Sequence, residues 1–105
     1  MIKTTCIGAY PKPDYVDLPD WFNHPDGPDA TDPTERWSDA MKALGNDAQS
    51  IISRGVQEVI NDQVEAGIDI PTDGEVPREN YIHYHCRHIE GIDFGVLTEV
   101  SLRNG

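Results

Sequence analysis

Positive charge is scarce in this chain: 8 Lys and Arg face 19 Asp and Glu over 105 residues, a formal net charge of -11. Such an excess repels phosphate backbones and anionic lipid headgroups, so neither nucleic acid nor a membrane surface is an expected partner. The acidic residues fall in short clusters such as Asp26, Asp29 and Asp32, which read as solvated surface. Cysteine is limited to Cys6 and Cys86, too few for the dense disulfide framework of a small secreted domain, and a reducing cytoplasm is expected. Long apolar runs are missing too. No window approaches the roughly 18 apolar residues of a membrane span, and Met1 to Thr5 lacks a signal-peptide apolar segment. A soluble protein is expected. The apolar residues, 37% of the chain, are unevenly spread: Pro11 to Arg36 is mostly Pro, Asp, Asn, Gly and His, with Tyr15, Val16, Leu18, Trp21 and Phe22 as islands. That stretch is expected to add little core, so stability should depend on something outside these residues.

What is present alternates between the two backbone periods. Lys3 to Gly8 is rich in β-branched residues and is stopped by Gly8, Pro11 and Pro13, which predicts a short strand followed by a long loop to about Thr31. Asp32, Pro33 and Glu35 form a helix start, and Trp37, Met41 and Leu44 make one stripe before Gly45, so a helix is predicted over 33–44. Asn46 or Asp47 then caps a second helix, in which Ile52, Val56, Val59, Ile60 and Val64 repeat at helical spacing until Gly67. Ile68 to Ile70 comes directly after it as a strand expected to lie parallel to the first. Pro77 opens a third helix near 78–89, and 92–97 is expected to be extended.

These segments carry a recognisable pattern. Thr4-Thr5-Cys6-Ile7-Gly8-Ala9-Tyr10-Pro11 resembles the Thr-Thr-x-Ile-Gly-Ser-Phe-Pro opening of the catalytic domain in the cobalamin-independent methionine synthase family. Gln63 to Glu75 resembles that family's helix, strand and Gly-Glu segment, while Arg78 to Tyr81 and Glu90 to Phe94 resemble its next helix and its Gly-Phe-x-Phe run. The matches run in order along nearly the whole chain outside the variable loop, and the short single-barrel members are the most similar. The resemblance implies a (β/α)8 TIM barrel of the methionine synthase/uroporphyrinogen decarboxylase-like type. Residues 1–105 are expected to form the N-terminal portion of one such domain, about its first two βα units. Since a barrel takes roughly 250 residues, the chain is expected to be incomplete and inactive alone.

The resemblance also implies a site at the C-terminal ends of the strands. Ile7, Gly8 and Ala9 match the family's contact with the substrate carboxylate, and Glu75 matches the Glu that holds its ammonium by a charge-assisted hydrogen bond. Ala9 stands where the family has Ser, which removes a hydroxyl donor. Arg103 matches an Arg near the methyl donor. The plainer alternatives are a turn glycine at Gly8, a surface turn at Glu75 and a solvated Arg103. The activity implied is zinc-dependent methyl transfer from a methyltetrahydrofolate-type donor to a small-molecule thiol such as homocysteine, the metal activating the thiol. The family's zinc ligands belong to later strands, and no metal ligand is assigned in this chain. His83, His85, Cys86 and His88 are an unpromising set: at about 100° per residue only His85 and His88 share a helix face, and two ligands do not close a tetrahedral site. The expected partner is the remainder of the barrel, a companion chain or a further copy. Two other readings stand beside this one: a related alkyltransferase acting on another thiol, and a non-catalytic barrel fragment that serves in association. No Ser-His-Asp order, phosphate-binding glycine loop or CxxC pair offers competing chemistry.

Overall fold

Ala48, Ile52, Gly55, Val59 and Gln63 recur at steps of three and four, which places them on one face of a helix, and they are the buried residues of that helix. In the computed structural model, which describes residues 1–19, 33–79, 81–96 and 98, this helix is α2 (Ala48–Glu65). It lies between α1 (Pro33–Leu44) and the short α3 (Tyr81–Cys86). Helix α1 has the bounds that its capping pattern predicts, although Asp32 itself lies outside the described residues. Gly45 adopts the left-handed φ of +63° expected of it. The chain then makes a 3₁₀ turn over Gly45–Asp47 that feeds straight into α2. The cap predicted at Asn46 or Asp47 is therefore not made: Asp47 stays helical and its side chain bonds nothing at the helix start. At the other end Gly67 (φ +83°) donates to Val64 O and Ile68 to Gln63 O, the paired bonds by which a left-handed glycine closes a helix.

Against α2 packs an unexpected partner. Val16 and Leu18, 3% and 5% exposed, join Ile52, Val59 and Val76 in the core. The Pro11 to Arg36 stretch thus contributes two of the five residues of this cluster among the described residues, contrary to its polar composition. Gly55 is the physical reason. A Cβ there would stand 2.8 Å from Val16 Cγ2 and 3.2 Å from Val76 Cγ1, so its absence makes the groove that two isolated apolar side chains need. Trp37, Met41 and Leu44 cover the same core from α1.

The two predicted strands meet in a single parallel bridge, Thr5 to Ile70, with no longer ladder among the described residues. The orientation is the expected one; the extent is not. Ile70 N–H donates to Thr4 O at 3.0 Å, but Pro71 has no N–H and the next donor, Thr72 N–H, goes to the Gln63 side chain at 2.9 Å. Thr5 Oγ1 also donates to Ile70 O at 2.7 Å, and Asp69 accepts both the N–H and the hydroxyl of Thr4. Helix α3 is shorter than predicted. Residues 74–77 turn before it, with Arg78 N–H on Glu75 O, and His88 and Ile89 close it with tight bonds to His85 O and Cys86 O. Residues 94–96 bend instead of extending, because the Asp93 carboxylate takes Gly95 N–H at 2.8 Å, and Leu97 lies outside the described residues. No described helix is long and apolar enough to cross a membrane.

Candidate substrate site at the end of the parallel pair

Both segments of the parallel pair run on in the same direction past the Thr5–Ile70 bridge. They meet again where Tyr10 N–H donates to Gly74 O at 2.8 Å. Gly8 and Ala9 lie just before that second contact and Glu75 just after it, so the structure brings these sequence-selected residues to the C-terminal end of the pair. Ile7, Gly8 and Ala9 are solvent-exposed, with Gly8 at φ +88°, and Glu75 is half-buried. Arg103 lies outside the described residues.

The turn that carries Glu75 is tightly determined. A Cβ on Gly74 would fall 2.6 Å from Val59 Cγ1 and 2.7 Å from Tyr10 Cβ, so glycine alone lets α2, the first segment and this turn converge. Glu75 then takes a φ of +58°, the one left-handed non-glycine among the described residues. Such backbone costs on the order of 1–3 kcal/mol, persists only where its surroundings fix it, and concentrates at functional sites. What fixes it here is Asp73, whose carboxylate accepts Glu75 N–H at 2.9 Å and holds Arg78 Nη2 at 2.8 Å through both oxygens. Burial pushes the Asp73 carboxyl upward, yet the Arg78 guanidinium and Glu75 N–H outweigh it and hold the group below its ordinary value. Arg78 is thereby engaged by Asp73 and reaches Glu75 only as a through-space attraction. Lys12, 5% exposed, donates to Arg78 O at 2.9 Å and braces the same turn.

Sequence reasoning missed three supports of this site. Gln63, 2% exposed, donates to Val59 O and Thr72 O and accepts from Thr72 N–H, tying α2 to the turn. Its position four residues after Val59 on the apolar stripe was the available signal. Lys12 between two prolines and Arg78 five residues beyond Asp73 carried none that local pattern could read.

Two other features lie apart. Arg87, directly after α3, stacks on Trp37 of α1 at 3.5 Å and pairs at 3.0 Å with Glu79, which precedes α3; the Arg87 and Glu79 side chains are 13% and 1% exposed. Beside this pair a cleft of about 500 Å³ is lined by Trp37, Met41, Ile52, Val56, Tyr84 and Arg87 among others, but by none of Ile7, Gly8, Ala9 or Glu75. Among the described residues no group of three or more His, Cys, Asp and Glu is placed to hold a metal ion.

Comparison with known proteins finds similarity to curated relatives named methionine synthase. It is 32% identical to the methionine synthase of Saccharolobus islandicus strain Y.N.15.51 over 94 residues, which are 90% of this chain and 24% of that protein. The methionine synthases of Saccharolobus solfataricus P2 and Sulfolobus acidocaldarius are each 31% identical over 94 residues, again 90% of this chain and 24% and 23% of theirs. The chain therefore spans about a quarter of the length of the curated relatives it matches. No protein-family model matches it. No solved structure matches it.

Proposed function

We propose that this chain supplies part of the thiol-substrate site of a methyltransferase resembling cobalamin-independent methionine synthase. The barrel it belongs to moves a methyl group from a methyltetrahydrofolate-type donor to a thiol such as homocysteine, in the cytoplasm, without nucleic acid or membrane as partner. Residues 1–105 form the opening portion of a single (β/α)8 domain. The observation that carries the reading is the convergence of the exposed Gly8–Ala9 backbone with Glu75, held in an uncommon conformation at the same end of one parallel pair.

In this reading the backbone around Ile7, Gly8 and Ala9 receives the substrate carboxylate, with no side chain on Gly8 to keep it away. Glu75 receives the ammonium by a charge-assisted hydrogen bond, while Arg78 remains committed to Asp73 and does not compete for the carboxylate. Arg103 contacts the methyl donor. Zinc belongs to the complete enzyme and would lower the thiol pKa there; the described residues of this chain do not fit a metal, and no step through it is assigned to them. Ala9, in place of the family's Ser, favours one second reading, a related alkyltransferase whose thiol substrate does not need that hydroxyl.

The test is a chimera in which this chain replaces the matched quarter of the Saccharolobus solfataricus relative. Methyl transfer to homocysteine is expected, and Glu75→Gln should raise KM for the thiol about tenfold, the equivalent of about 1.4 kcal/mol of lost binding. A Glu75→Gln chimera with unchanged KM contradicts the assignment.

A further inference from the structure

Two carboxylates and one guanidinium share the turn that carries Glu75. The Asp73 carboxylate takes Arg78 Nη2 at 2.8 Å through both oxygens and Glu75 N–H at 2.9 Å. The attraction of Arg78 to Glu75 acts through space. Arg78 N–H nevertheless donates to Glu75 O at 3.0 Å, which places the guanidinium within side-chain reach of the Glu75 carboxylate as well. The Glu75 backbone is fixed by its neighbour Gly74, where a Cβ would fall 2.6 Å from Val59 Cγ1 and 2.7 Å from Tyr10 Cβ. The Arg78 side chain is therefore the part of the turn that can pass from one carboxylate to the other.

A tethered cation is a strong competitor. A guanidinium three residues away acts at an effective concentration on the order of millimolar, at or above the range of roughly 1 μM to 1 mM in which enzymes meet small substrates. An ammonium arriving from solution loses Glu75 to Arg78 unless another carboxylate engages Arg78 first. Resting on the reading of Glu75 above, we propose that Asp73 is a specificity-determining positioning residue: it holds Arg78 off Glu75 and so reserves that carboxylate for a thiol substrate bearing a primary ammonium. The Arg78 and Asp73 side chains are 22% and 36% exposed, so solvent screens their attraction less than that of a fully exposed pair. The Tyr84 ring, 5.3 Å from the Arg78 guanidinium carbon, and Lys12 Nζ, on Arg78 O at 2.9 Å, support the same placement. Discrimination then turns on the ammonium, since a thiol without one loses little when Arg78 neutralises Glu75.

The experiment measures, by titration calorimetry and so without turnover, how tightly the chimera described above binds homocysteine and the mercaptobutyrate that lacks its amine. The parent is expected to prefer homocysteine by about tenfold, the worth of one charge-assisted contact. Asp73→Asn keeps an oxygen for Glu75 N–H but no charge for Arg78, and should reduce the preference to less than about twofold. Adding Arg78→Ala to Asp73→Asn removes the competing cation and should restore the preference to at least about fivefold. Arg78→Ala alone should be at least as selective as the parent. A double variant no more selective than Asp73→Asn would make Asp73 a structural support only and overturns the inference. So does Arg78→Ala losing the preference, an outcome that does not depend on the folding of the Asp73 variants. A parent that binds the two thiols alike defeats the reading of Glu75 itself, whereas a preference lost in Glu75→Gln and kept in Asp73→Asn defeats this inference alone.

Discussion

Helix α2 and the parallel pair treat their polar and apolar groups in opposite ways. On α2 the buried stripe is covered by Val16, Leu18 and Val76, and even the Gln63 amide finds three backbone partners. On the pair, one bridge stands where a ladder was predicted, and Ile7 is bare. The difference separates a helix face whose groups find partners among the described residues from two segments joined by one bridge. Polar side chains decide the boundary: Thr5 and Gln63 occupy backbone groups of the second segment, and Pro71 has no donor to offer.

The sharpest way to test the self-sufficient side is to break the buried Arg87–Glu79 ion pair, whose members flank α3. Arg87→Met leaves Glu79, 1% exposed at its side chain, without its cation and removes the stack on Trp37. Loss of one partner from a buried pair costs about 3–5 kcal/mol, so the urea midpoint should fall by at least about 1 M at a slope of roughly 1–3 kcal/mol per M. A variant as stable as the parent would mean that neither the pair nor the stack on Trp37 holds this region together.

A smaller effect is expected at the turn between the two regions. The Asp73 carboxyl is held below its ordinary value when folded, so its contribution is complete above the unfolded value of about 4 and is lost as pH falls through the lower folded one. Thermal denaturation from pH 5 to pH 2 should therefore show a steeper acid loss of stability for the parent than for Asp73→Asn. Parallel profiles would show that the Asp73, Arg78 and Glu75 arrangement does not couple to folding.

Local periodicity made much of this fold legible. The bounds of α1, the glycine closure of α2 and the parallel sense of the two β-branched segments were all legible locally, whereas of the stripe expected on α2 only Ile52 and Val59 are buried and Val64 is 57% exposed. Motif position likewise brought Gly8, Ala9 and Glu75 to notice before any coordinate did. What escaped depends on contacts across the sequence. Val16 and Leu18 look like islands until Gly55, 39 positions beyond Val16, is seen to open a groove for them, and Asp47 looks like a cap until the 3₁₀ turn makes one unnecessary. The short bridge was hidden because Thr72 N–H is claimed by a helix side chain nine residues earlier.

Hydrogen exchange of the isolated chain tests the contrast most directly. Amides of α2 from Ile52 to Gln63 should exchange at least tenfold more slowly, relative to their intrinsic rates, than those from Ile2 to Gly8. Equal protection of the two regions would contradict the account, since the single bridge would then hold its segments as firmly as the core holds α2.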